Sequence, residues 1–471
     1  MSSADTGAAA TAFRVADRLR PKAQGPWEVF GERIQRFEIH FTGGSIEMVR
    51  GPIQAEGYGV RTFAPHNGGM GVGFAASSDL SGEGVDGAHA LAMAVGKHSQ
   101  FPAKKVDLPT RSAGSPVDLQ IVDRALWERP IDTLESFASE LIAATSTTPH
   151  IVPSFGSVRA TLAEATIANS AGATAAYSHS FVDLEIAVKA SGGAEGPAPG
   201  EWWVNARFNQ LPRDYAKTEA PGWLRRAEDV RHAEPTPGGH TRVLFPPDVL
   251  DGIVPVPLGF RLSGSAALRK MTPKVGTEVA PALLSIHDDG LLPRALGSAP
   301  VDDEGSPQRR GTLIDQGKTA ETICDLLHGE AIGTGTSGNA RREPPGFLAE
   351  MRFTNAPVPG PTTMVVSPGT GGTDEEMIEA AGDGIWLDQL GWAFPDPIST
   401  AFGGEIRLGY RIRRGRREEA VRGGTLGGIL LTPEGSPSFL RSISAIGSKP
   451  LIVGTMSTPT WQVDDVEVAG D

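Results

Sequence analysis

At 471 residues the chain is long enough for two or three domains, each with a sizeable core, and it needs no disulfide or metal staple to fold. Hydrophobic residues make up 39%, aromatics only 6%, and 59 Gly with 37 Pro point to a turn-rich globular protein leaning toward antiparallel β-structure. A net charge of -13 argues against nucleic acid or an anionic membrane as partner, and the single cysteine, Cys324, excludes an intrachain disulfide and makes a reducing cytoplasm the expected compartment.

Met1 to Ala10 is Ser/Ala/Gly-rich and lacks the basic and apolar regions of a signal peptide, so residues 1–27 are expected to form a flexible arm. No window approaches the length of apolar sequence that a membrane span requires. Phe37, Ile39 and Phe41 alternate with polar residues as in a half-buried strand. Gly43-Gly44 supplies a turn into a second strand through Ile46 to Val49. Two more short strands, Gly59–Phe63 and Gly71–Ala75, flank the turn Asn67-Gly68-Gly69. A helix is expected to start at Ser81, and a second at Asp132, where Glu135 completes a capping-box pattern ahead of Leu134, Phe137, Ala138 and Leu141.

Val182, Leu184, Ile186 and Val188 alternate as a strand, 192–200 reads as a Gly/Pro loop, and Trp202–Phe208 reads as the returning strand. The charged, Pro/Gly-rich stretch 212–239 is taken as the inter-domain region. Beyond it come strand-like pieces at 242–245 and 283–287. A third capped helix follows from Thr373 with Glu376, then a strand through Ile406, Leu408, Tyr410 and Ile412 turning at Arg414-Gly415, and a last one through Val463, Val466 and Val468. The fold class expected is α+β: an N-terminal α/β domain over 28–235 and a β-rich domain of antiparallel sheets over 236–471.

None of the ten histidines begins a His-Glu-x-x-His run, and no two stand three to five apart, so a helical two-histidine zinc site is excluded. Cys324, His328 and Glu330 form the nearest approach to a ligand cluster, since a helix would put Cys324 and His328 on one face. Against this, a lone cysteine is usually a buried one. Gly333–Gly338 matches a dinucleotide glycine pattern but follows a helix rather than a strand, which favours a plain turn. Asp302-Asp303-Glu304 could hold a hard cation, yet lacks the spaced ligands of a calcium loop and reads as an Asx-type turn with solvated carboxylates. Arg407 to Arg417 is interleaved with no aromatic platform and reads as a solvated hairpin.

Several strings occur together and in order: Asn169-Ser-Ala-Gly172, Ile286-His-Asp-Asp-Gly290, Asp302-Asp-Glu-Gly-Ser-Pro307, Ser337-Gly-Asn-Ala-Arg-Arg342, Arg352-Phe-Thr-Asn355 and Thr458-Pro-Thr-Trp-Gln-Val-Asp-Asp465. From about residue 28 to the end, this ordered set resembles the TldD/TldE metallopeptidase family, also called PmbA or "modulator of DNA gyrase". The resemblance implies two homologous subunits that pair into a closed, partly barrel-like shell around zinc. The TldD type supplies the metal through a His-Glu-x-x-x-His helix, whose Glu is the general base, and a cysteine near the C-terminus; the TldE type has neither.

Here the region that would form the metal helix, 245–268, has no histidine and is rich in proline, and Leu451-Ile-Val-Gly-Thr-Met-Ser457 stands where the cysteine would be. The expectation is therefore a TldE-like, non-catalytic subunit with no cofactor of its own. Zinc is expected in a TldD-type partner, and the substrate is an extended peptide or peptide-like amide, with antibiotic maturation as one setting. Asn339, Arg341 and Arg342 are the candidate substrate-facing residues, with internal pairing to the 302–304 acids as the alternative for the arginines. Two rival readings stay open: a self-sufficient hydrolase using Cys324, His328 and Glu330, and a regulatory binding protein.

Overall fold

The alternating apolar residues around Phe37 belong to a strand much longer than the pattern alone marks. In the computed structural model, which describes residues 11–111, 117–191, 199–342 and 351–470, the N-terminal half is one six-stranded antiparallel sheet. Its strands are β1 (Trp27–Thr42), β2 (Ser45–His66), β3 (Gly69–Ser77), β4 (Ile151–Asn169), β5 (Thr174–Ala190) and β6 (Gly200–Phe208), hydrogen-bonded in the order β3-β2-β1-β4-β5-β6. The sheet curls into a half-barrel. The two strands expected around Ile46 and Val60 are one 22-residue strand, and β4, which the sequence reading passed over, is the central partner of β1 and β5.

Helices α1 (Thr11–Leu19), α2 (Gly82–Gly96), α3 (Arg124–Glu128), α4 (Pro130–Thr145) and α5 (Tyr215–His232) belong to this half. Part of the expected arm is therefore ordered: α1 buries Ala12, Val15, Ala16 and Leu19 against Trp27 and Val60, while Met1–Ala10 lies outside the described residues. Its close approach needs Gly31, where a Cβ would stand 2.6 Å from the Ala12 backbone nitrogen. Ser81 caps α2 as expected, its side chain accepting from the Gly84 N–H. The cap at Asp132 is displaced: Pro130 starts α4 at its first turn, where a missing N–H costs nothing, and Asp123 caps the short α3 ahead of it.

The stretch taken as inter-domain is α5. Its buried residues Ala216, Ala220, Trp223, Ala227 and Val230 keep helical spacing, but mostly through small side chains, and Pro221 in the second turn hid the pattern. Together α4 and α5 cover one face of the sheet, packing on Phe37, Ile39, Val158, Leu184 and Ile186. The expected 192–200 loop lies mostly outside the described residues.

The second half holds α6 (Pro247–Ile253), α7 (Pro255–Arg261), α8 (Gly264–Leu268), α9 (Leu326–Ile332) and α10 (Asp374–Ala381). Strands 384–391, 239–245, 461–469, 425–429 and 401–413 pair in that order, and 384–391 pairs back on 401–413, closing a five-stranded barrel. A second, six-stranded sheet runs 318–319, 310–315, 286–289, 364–366, 456–458, 451–453. Most pairings are antiparallel; parallel joins occur between 364–366 and 456–458, between 384–391 and 239–245, and at 421–422 with 234–235. Val243, Leu258, Ile286, Ile406 and Trp461 share one core between barrel, sheet and helices. Thr373 and Glu376 make the reciprocal capping box of α10, and Arg414-Gly415 is the expected hairpin tip, both residues at positive φ.

Candidate functional site

Segments 301–306, 339–342 and 351–355 of the second half dock on the face of the sheet opposite α4 and α5, and they carry three of the six strings singled out above. Successive outward residues of β1 on that face are Glu28, Phe30 and Glu32, all buried. The Arg352 Nε donates to Glu32 Oε1 at 2.7 Å, and its backbone N–H to Oε2 at 2.7 Å. Its Nη1 reaches both Asp303 Oδ1 and the Tyr177 hydroxyl, each at 3.3 Å. Arg342 donates to Glu28 Oε1 at 3.1 Å and to the Asn355 carbonyl at 2.6 Å, while its N–H binds Asp303 Oδ2 at 2.7 Å. Arg61 joins Glu28 to Glu304. The Phe30 ring lies between the Arg342 and Arg352 guanidiniums, at 4.9 and 5.1 Å. Phe353 completes the dock by lying on Gly57, where any Cβ would run into its ring.

Three acids of this region, Glu32, Asp302 and Glu304, are held against their preference. Burial raises Glu32 and Glu304 above the ordinary carboxylate range, and pushes Asp302 up to about 7 although its oxygens accept from the Glu304, Ser306 and Ala340 N–H groups. Burial also opposes the Arg61 charge, but Glu28 and Glu304 more than offset it and hold the guanidinium above its usual value. The 302–304 run is thus an Asx-type turn as expected, but its carboxylates are buried rather than solvated. Glu304 spends its second oxygen on the Leu326 N–H at the start of α9.

The candidate substrate residues fall into this region. Asn339 is buried, donating to Asp288 Oδ2 at 2.5 Å and accepting from the Ser337 hydroxyl at 2.6 Å. Arg342 is 1% exposed and bonded as above, so its pairing is internal. Arg341 is half-buried, donating to the Gly297 carbonyl at 3.2 Å. Arg61, Glu28 and Glu32 were not singled out by the sequence reading; the available signal was two glutamates bracketing Phe30 on alternate positions of a strand whose other face carries Trp27, Val29, Phe37 and Ile39.

The rival ligand set does not converge. Cys324 precedes α9 instead of sharing a face with His328, because Asp325 is the cap: its side chain accepts the His328 N–H. The thiol is buried, with its pKa pushed up to about 11, and its sulfur lies 3.6 Å from the Thr334 hydroxyl. Both His328 nitrogens are engaged, Nδ1 with Asp325 at 2.8 Å and Nε2 with Ser265 at 3.2 Å. Among the described residues no three His, Cys, Asp or Glu side chains stand close enough together to hold a metal ion.

Where the resemblance puts a metal helix, the chain is helical but broken. Pro247 and Pro255 each open a short helix at its first turn, and the break falls at Val254. The α6 carboxylate nearest the 451–458 hairpin, Asp251, accepts from the Thr455 N–H at 2.9 Å and from its hydroxyl at 3.3 Å. With Gly454 and Thr455 facing it in place of a thiolate, and no imidazole on α6 or α7, these residues do not fit a catalytic zinc.

Residues 124–229 match the model of the PmbA/TldA metallopeptidase central domain, and 238–470 that of the PmbA/TldA metallopeptidase C-terminal domain. The chain belongs to the TldD/TldE (PmbA) metallopeptidase family. Among curated relatives, the metalloprotease TldD homolog of Haemophilus influenzae is 30% identical over 210 residues, covering 42% of this chain and 41% of that protein. The homolog from Buchnera aphidicola of Acyrthosiphon pisum is 28% identical over 188 residues, covering 40% of this chain and 35% of its own. The chain thus spans about two fifths or less of the length of these relatives. The fold is that of TldE from Thermococcus kodakarensis, with a TM-score of 0.77 at 20% identity over 98% of this chain and 100% of that one. A putative modulator of DNA gyrase from Thermotoga maritima gives 0.76 at 17% identity over 97% and 100%.

Proposed function

We propose that this chain is the metal-free, TldE-type half of a two-chain zinc peptidase, working in the cytoplasm on extended peptides or peptide-like amides, including those of antibiotic maturation. The observation that carries this reading is the donor set of α6, α7 and the 451–458 hairpin, which offers carboxylates, hydroxyls and aliphatic side chains where a zinc peptidase needs imidazole and thiolate. Lewis-acid chemistry and the general base then belong to a TldD-type partner with a His-Glu-x-x-x-His helix. An apolar surface for that partner is at hand: Trp392 and Phe394 stack with ring centroids 6.3 Å apart and are 66% and 71% exposed, with Ile398 beside them at 53%. No helix among the described residues is long and apolar enough to cross a membrane.

Reconstitution tests the proposal. Mixing the purified chain with a TldD-type chain from the same genome is expected to give chelator-sensitive cleavage of an unfolded peptide that neither chain gives alone. Full activity of the TldD-type chain by itself, unchanged on mixing, would contradict it. A Trp392→Asp, Phe394→Asp double variant is expected to weaken co-purification at least about tenfold while leaving the fold intact.

A further inference from the structure

The sheet face that carries the buried knot continues past the docked segments, and its character changes there. One row crosses five strands: Arg50 of β2 is in register with Glu38 of β1, Glu38 with Arg159 of β4, Arg159 with Asp183 of β5, and Asp183 with Arg207 of β6. Register partners project to the same side of a sheet, and this side is opposite the one where Phe37, Val158, Val182 and Leu184 meet α4 and α5. Glu38 lies 3.3 Å from Arg159 Nε, 3.6 Å from Arg36 Nη1 and 3.8 Å from Arg50 Nη1, and Asp183 lies 3.0 Å from Arg207 Nε.

A ladder that only neutralised itself would alternate to an even balance. This one begins and ends on arginine, with Arg36 beside it. Among the described residues, the row itself sets three guanidiniums against two carboxylates, in a chain of net charge -13. The layering is as telling as the count: the Glu38 and Asp183 side chains are 9% and 18% exposed, whereas Arg50, Arg159 and Arg207 are 60%, 37% and 41% exposed. The acids sit low and hold the arginine stems upright, so each fork, with five N–H donors, keeps donors facing outward. Beyond its β6 end lies α6, where burial pushes the Asp251 carboxyl up to about 6 and the Arg207 charge is among the weaker influences that oppose the rise. Two rows farther along, Phe155 and Trp203 lie 6.3 Å apart.

We propose that this row is a carboxylate-recognition platform that holds the acidic side chains or the terminal carboxylate of an extended peptide on its way toward the α6 edge. The proposal rests on the reading of the chain as a peptide-handling subunit and adds a charge preference to it. Planar guanidiniums bind carboxylates in paired hydrogen bonds, which a neutral amide cannot reproduce.

The test is fluorescence anisotropy with two labelled decapeptides of Ser and Gly. One bears three Glu and a free C-terminus, and the other has Gln at those positions and a C-terminal amide. The acidic peptide is expected to bind about tenfold more tightly at low salt, with the preference shrinking as salt rises. Arg50→Ala with Arg207→Ala should abolish the preference, and Arg50→Lys with Arg207→Lys should keep part of it. Equal binding of the two peptides, or a preference the alanine variants do not move, would overturn the platform while leaving peptide handling intact. If neither peptide binds, the platform also falls, and the reconstituted pair then decides whether the subunit reading falls with it.

Discussion

The two ends of one sheet face put the same side chains to opposite uses. Around Phe30, Arg61, Arg342 and Arg352 are covered by the 301–306, 339–342 and 351–355 segments and bonded to Glu28, Glu32, Asp303 and Glu304. Around Glu38, Arg50, Arg159 and Arg207 stand open on the same face. Covering decides the difference. In the knot every charge removed from water must find a partner, so its arginines are structural; in the row, water completes the hydration of each fork and leaves it free to exchange for a ligand.

The sharpest way to break the comparison is to remove one knot arginine. Arg352→Ala leaves Glu32 and Asp303 buried without their cation, and the expected loss is about 3–5 kcal/mol in denaturant unfolding. A loss below about 1 kcal/mol would mean that the knot is hydrated and no different from the row.

Acid pairing in the knot also predicts a pH dependence. Asp302 holds its proton up to about 7 when folded and only to near 3.8 when unfolded, so its contribution to stability is fully present below about pH 4 and is lost as pH rises through 7. Between these limits the folded chain binds the extra proton, and stability falls with pH by at most about 1.4 kcal/mol per unit from this group. Asp302→Asn should flatten that slope, while lowering stability overall because its amide nitrogen would face the Ala340 N–H. Thermal melts from pH 4.5 to 7.5 read both effects, and an unchanged slope would count against the buried-acid account.

A smaller effect is expected from Gly57→Ala, whose methyl would push Phe353 off the sheet. About 1–3 kcal/mol should be lost, with hydrogen exchange rising in 351–355 first. The smallest belongs to the row. Arg207→Ala removes a guanidinium that is 41% exposed, and stability should change by less than about 1 kcal/mol. A change as large as that of Arg352→Ala would make the row structural too.

What the residues alone made legible was local and periodic. Phe37, Ile39 and Phe41 marked β1, Ser81 and Thr373 marked helix starts, and the ordered strings marked the family. Three kinds of feature were hidden. In α5 the packing residues are mostly alanines, too small to stand out beside Pro221, and in β4 alanines and threonines dilute the alternation that β5 keeps. Burial of Asp302, Asp303 and Glu304 cannot be read from three consecutive acids, because it depends on Arg61 and Arg352, far away in sequence. For the same reason Asn339 and Arg342 looked available: the Glu28 that receives Arg342 lies 314 residues away. The five-strand arginine row was equally invisible, since none of its members is near another in sequence except through strand register.

On the proposed reading, this chain lacks the ligands to hold a catalytic zinc. The most direct measurement is the zinc content of the separately purified chain after exposure to excess zinc and desalting, read by elemental analysis. A content far below one ion per chain, unchanged in a His328→Ala variant, is the predicted result. One tightly held zinc per chain, with chelator-sensitive peptide hydrolysis in the absence of any partner, would contradict it.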